Sequence, residues 1–131
     1  MIVIDASAAV EYLIGTAAGE RVAERIGQAD VALHAPHLLD LEVTHTLRRL
    51  VRSGTLDTAR AEEAFVDLLA LRVRRHAHTV HLPRVWALRD VMTAYDAAYV
   101  ALAEVLNAPL LTRDARLARA HGHQARVEVI A

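Results

Sequence analysis

Met1–Ile2–Val3–Ile4–Asp5–Ala6–Ser7 opens with three branched apolar residues in a row, followed without a spacer by a carboxylate and, two positions on, a hydroxyl. An apolar run with no polar alternation suits a strand buried on both faces, as inside a parallel sheet. Asp5 and Ser7 are helix-capping residue types, so a helix carrying Val10, Leu13 and Ile14 is expected to start at once. Asp5 then stands at the carboxyl end of a strand, where open parallel sheets build their sites.

The alternation continues outward from this stretch. Gly15 and Gly19 punctuate the passage to a helix near 18–28, Val31–His34 reads as a second buried strand, and Pro36 marks entry to the next helix, about 37–52. There Leu39, Val43, Leu47 and Leu50 form an apolar stripe that Gly54 closes. A helix follows from about Thr58 to Leu71. The arginine- and histidine-rich residues 72–81 lack a clear period, with a short strand expected only near Val80. Helices at 83–90 and 95–107, a strand at Pro109–Thr112, a short helix at 114–121 and a last strand at Arg126–Ile130 complete the chain. Strands alternating with helices predict a mainly parallel sheet covered on both faces. No repeat, low-complexity tract or linker interrupts residues 1–131, which read as a single domain.

Composition narrows the chemistry. A chain of 131 residues with 54% hydrophobic content can bury a core and is not a disordered segment. The absence of cysteine excludes disulfides, zinc–thiolate centres and thiol nucleophiles. All fifteen basic residues are arginine, so lysine-dependent P-loops, receiver-type phosphorylation sites and Schiff-base chemistry are excluded too. A net charge of −1 does not advertise a nucleic-acid binder. With neither a basic leader nor an apolar run of about 20 residues, no signal peptide or membrane span is expected, and the expected location is cytoplasmic.

The acids carry the functional signal. Asp5 follows the first strand, Asp114 lies two residues after the Pro109–Thr112 strand, Glu42 is in the first turns of the helix after the second strand, and Asp96 opens the 95–107 helix. Singly, the three aspartates are helix caps or dipole partners. Glu42 falls beside the apolar stripe of its helix, at the boundary of burial, where a carboxylate needs a partner. Together the four make a hard-oxygen donor set at one end of the sheet, suited to Mg²⁺ or Mn²⁺. Such an ion lowers the pKa of water and neutralises charge developing on a phosphodiester.

The segments Val3–Ile4–Asp5–Ala6–Ser7, Leu41–Glu42–Val43 with Leu47–Arg48–Arg49–Leu50, Thr93–Ala94–Tyr95–Asp96–Ala97–Ala98–Tyr99 and Leu111–Thr112–Arg113–Asp114 resemble PIN domains. In order and spacing they look like the VapC toxins of VapBC toxin–antitoxin modules. The resemblance implies a three-layer α/β/α sandwich, an Mg²⁺- or Mn²⁺-dependent endoribonuclease, a homodimer and a VapB-type antitoxin that occludes the site. It makes Asp5, Glu42, Asp96 and Asp114 the catalytic, metal-holding quartet, with Ser7 and Thr112 orienting carboxylates and water. His45 stands where many relatives have Asn. By the same resemblance Asp40 and Asp90 are left as solvated or capping acids.

Arg72, Arg74 and Arg75, with His76 and His78, form the one basic cluster, and Arg49 lies on the Glu42 side of its helix. Arginine's planar fork suits phosphate, so these four arginines are candidate RNA contacts; a solvated loop or an antitoxin or dimer contact is the plainer reading of the cluster. The pairs His76/His78 and His121/His123 invite zinc, but residues two apart share a face only on a strand. Tyr95, Tyr99 and Leu102 at helical spacing read as packing rather than base-stacking groups. A catalytically silent binding module would predict a broken quartet, and an aspartyl phosphotransfer site would want an acid where Ser7 stands. The nuclease reading accounts for the acids best.

Overall fold

Ile2, Val3 and Ile4 are each at most 1% exposed and form β1 (Ile2–Ile4), the middle strand of a computed structural model that describes residues 1–28 and 31–131. Asp5 caps α1 (Ala6–Ile14), and Thr16 caps α2 (Ala17–Ile26). There follow β2 (Leu33–Pro36), α3 (Leu38–Arg52), α4 (Thr58–Ala70) and β3 (Val73–His76). A 3-10 turn at Thr79–His81 leads into α5 (Leu82–Ala87), then α6 (Ala94–Leu106), β4 (Leu110–Thr112), α7 (Ala115–Arg119) and β5 (Val127–Val129).

The five strands are all parallel, in the order β3-β2-β1-β4-β5. Val3 pairs with His34 on one side and Leu110 on the other. Parallel strands need crossovers, and right-handed crossovers leaving β1 toward β2 and β3 carry α1 to α4 over one face. The return from β3 to β4 carries α5 and α6 over the other face, where α6 packs on β1, β2 and β4. The result is a three-layer α/β/α sandwich around a core that includes Ile4, Val22, Leu39, Val43, Val100 and Leu111. No helix among the described residues is long and apolar enough to cross a membrane.

Gly19 brings α2 onto α1: a Cβ there would lie 2.0 Å from the carbonyl oxygen of Glu11. At the sheet edges, Arg25 grips Glu128 of β5 with two hydrogen bonds of 2.7 and 3.0 Å.

The strand expected near Val80 is instead β3, several residues earlier, and Val80 lies 78% exposed in the 3-10 turn. β3 is an edge strand, where charged side chains are favoured, so its two arginines hide the apolar pattern that identifies buried strands. Pro36 does not open a helix. It ends β2, opposite His76, and α3 starts at Leu38.

Candidate active site

The chain leaves β1 toward β2 and leaves β4 toward β5, on opposite sides, so a crevice opens beyond the carboxyl ends of these neighbouring strands. Asp5 sits there. Its Oδ1 accepts the Ala8 N–H at 3.0 Å, as a helix cap does, and the Ser7 hydroxyl at 2.6 Å. Its Oδ2 accepts the hydroxyl of Thr112, the fully buried last residue of β4. Each of these hydroxyls also accepts from the loop after β4: Thr112 from the Asp114 N–H at 3.0 Å and Ser7 from the Arg113 N–H at 2.9 Å. Each spends its one proton on Asp5. Burial nevertheless raises the Asp5 carboxyl above its usual range, against the Ser7, Thr112 and Ala8 hydrogen bonds, and the Asp96 charge adds to the rise.

Asp5 and Asp114 each cap a helix and line the cleft. Asp114 caps α7 by accepting the Arg116 N–H at 2.9 Å, and the Arg116 guanidinium, 2.8 Å away, holds its carboxyl below the usual range. Asp96 is not the cap of its helix. Thr93 is, accepting the Asp96 N–H at 3.1 Å. Burial and the charge of Asp114 raise the Asp96 carboxyl. Glu42, half-buried on α3, accepts the Tyr99 hydroxyl at 2.7 Å on Oε1. Burial raises Glu42, the Tyr99 hydrogen bond offsets part of the rise, and the Asp96 and Asp5 charges add to it.

Asp5, Glu42, Asp96 and Asp114 all line one cleft of about 1100 Å³. Four elements distant in sequence supply them, and burial or mutual repulsion raises the carboxyls of three.

Residues 2–122 match the family model of the PIN domain. This chain belongs to the PIN-domain family. Over 131 residues, all of both chains, it is 44% identical to Ribonuclease VapC12 of Mycobacterium tuberculosis. Its fold is similar to the crystal structure of PAE2754 from Pyrobaculum aerophilum, with a TM-score of 0.70, 25% identity and coverage of 98% of this chain and 83% of that one. It is similar in fold to VapBC2 from Rickettsia felis, bound to a DNA fragment from their promoter, at a TM-score of 0.68 and 13% identity over 98% of each chain.

Of the four arginines singled out in sequence, this PIN domain brings only Arg49 to the cleft. Arg75 holds both oxygens of Asp40, at 2.7 and 2.9 Å, and fastens β3 to α3. Asp40, read as a solvated or capping acid, is therefore the partner of a structural ion pair. Arg74 is exposed on β3, and Arg72 lines a separate hollow with Tyr12, Leu33 and Asp67. Asp90 is exposed in the turn after α5. His76 meets the buried His34 at 2.9 Å, ring to ring.

Three cleft residues escape sequence reasoning. Tyr99 is packing, at 2% exposure, but its hydroxyl ends on Glu42. Burial and the neighbouring carboxylates hold that phenol far above its ordinary range. Glu11 shares the Ser7 face of α1 by i, i+4 spacing, which was a usable signal. Arg113 follows Thr112 and lies 3.8 Å from Glu11.

The donor set suits a hard divalent cation: the groups are all oxygen, and their crowded charge is what such an ion offsets. Among the described residues no three His, Cys, Asp or Glu side chains stand as a ready-made ligand set. Asp5, Glu42 and Asp114 are held instead by hydroxyls and a guanidinium of the chain itself.

Proposed function

We propose that this PIN domain is the toxin component of a type II toxin–antitoxin module, an endoribonuclease that hydrolyses RNA phosphodiester bonds with Mg²⁺ or Mn²⁺. The observation that carries this reading is that Asp5, Glu42, Asp96 and Asp114 all line one cleft beyond β1 and β4. Full-length likeness to a ribonuclease, VapC12, supports RNA as the substrate. Likeness in fold to VapBC2 accords with a VapB-type antitoxin as partner; by family resemblance the protein forms a homodimer, and we place it in the cytoplasm.

Asp5, Asp96, Asp114 and Glu42 would hold the cation. When bound, it supplies charge neutralisation at phosphorus and acidity to water. The chain's own residues do the rest. Ser7 and Thr112 fix both oxygens of Asp5, so its carboxylate is set before substrate arrives. Arg49 lines the cleft with a forked donor suited to an RNA phosphate, while the Arg113 guanidinium is occupied by the Ile130 carbonyl and faces Glu11. One carboxylate of the quartet would take the proton of the attacking water as the new P–O bond forms, and that proton would pass to the ribose oxygen released as the old P–O bond breaks.

The test is cleavage of total cellular RNA by the purified protein with Mg²⁺, with Mn²⁺ and with EDTA. Discrete fragments with either ion and none with EDTA are expected. Intact RNA after incubation with folded, metal-supplied protein would contradict the reading and favour a silent binding module.

A further inference from the structure

Tyr99 on α6 and Glu42 on α3 are 57 residues apart in sequence and joined by one hydrogen bond of 2.7 Å. The Tyr99 ring belongs to the buried core, so its hydroxyl stands on a rigid base. Glu42 has no such base. It is half-buried, on a helix whose neighbouring residue Leu41 is 74% exposed, and it faces the charges of Asp5 and Asp96. Like charges push its carboxylate toward solvent, and the neutral phenol donor opposes that push. The hydrogen bond takes Oε1, and among the described residues Oε2 accepts none.

We propose that Tyr99 is a positioning residue whose hydroxyl holds the Glu42 carboxylate inside the cleft, with Oε2 presented to a divalent cation. The proposal rests on the nuclease reading above. It gives Glu42 a neutral hydroxyl partner, as Ser7 and Thr112 are for Asp5.

The experiment is Mn²⁺ binding by calorimetry to the parent protein, Tyr99→Phe, Glu42→Ala and the double variant, with thermal unfolding of each. Tyr99→Phe removes one oxygen and keeps the ring. It is expected to weaken Mn²⁺ binding about ten- to a hundredfold, as loss of an outer-shell partner does. In the Glu42→Ala background the same substitution is expected to change nothing, which a purely structural role for Tyr99 would not produce. Parent-like binding by Tyr99→Phe beside weakened binding by Glu42→Ala overturns the inference alone, as does equal weakening by Tyr99→Phe in both backgrounds. No Mn²⁺ binding by the parent removes the nuclease reading and the inference with it. Should Tyr99→Phe unfold, carbon-13 spectra of ring-labelled tyrosine replace it. Mg²⁺ is then expected to shift the Tyr99 signal in the parent and not in Glu42→Ala, and an unmoved parent signal contradicts the role.

Discussion

The hydroxyl of Thr112, last residue of β4, is bound to Oδ2 of Asp5, the residue after β1, across 107 positions of sequence. One side chain joins the two central strands at the level of the site and orients an acid there. Thr112→Val keeps the shape, takes a donor from a buried carboxylate and leaves the Asp114 N–H without its acceptor. A loss of about 1–3 kcal/mol in urea unfolding is expected for such orphaned groups. Mn²⁺ affinity, read by calorimetry, should fall about ten- to a hundredfold.

The raised carboxyls predict an inverted pH response. Asp5, Glu42 and Asp96 hold protons more tightly folded than unfolded, so they destabilise the protein at neutral pH. That penalty fades as pH falls through their raised values. Asp114, Glu104 and Glu128 have lowered values, and the stability they add is present above the ordinary carboxylate range and lost as pH falls through their own. Asp96→Asn in EDTA should therefore melt higher than the parent at neutral pH, with the gap closing as the pH approaches the ordinary carboxylate range. Mn²⁺ at about a hundred times its Kd should stabilise the parent by about 2.7 kcal/mol and the variant by much less.

Gly19→Ala tests the contact that sets α2 on α1. The new Cβ would meet the Glu11 backbone oxygen at 2.0 Å, so the helices must part. Overpacking of this kind costs about 1–3 kcal/mol, read as a lower urea midpoint.

The arginines separate by place. Arg75→Ala breaks the pair with Asp40 and should cost about 1 kcal/mol of stability while leaving RNA cleavage intact. Arg49→Ala should raise KM for RNA with little change in kcat or melting temperature, the signature of a lost ground-state phosphate contact.

What could be read from the chain before folding follows from locality. Ile2–Ile4 is an apolar run, Leu110–Thr112 is one closed by a hydroxyl, and an acid lies just past each, so strand, site end and candidate acid are legible within a few residues. β3 lies ahead of the strand expected near Val80 because an edge strand tolerates Arg74 and Arg75, and its fixing contact, Arg75 to Asp40, is tertiary. Tyr99 fits a core position by its period, and nothing local tells where its hydroxyl ends. That depends on how α6 meets α3, which only the folded sheet decides.

On the proposed reading, Asp5, Glu42, Asp96 and Asp114, from four segments of the chain, form one cation site. Crystals soaked in Mn²⁺ and measured at the manganese absorption edge test it most directly. An anomalous peak in the cleft is expected within bonding distance of carboxylate oxygens of Asp5, Glu42, Asp96 and Asp114. An empty cleft with manganese bound elsewhere, for instance at the His34–His76 pair, would contradict it.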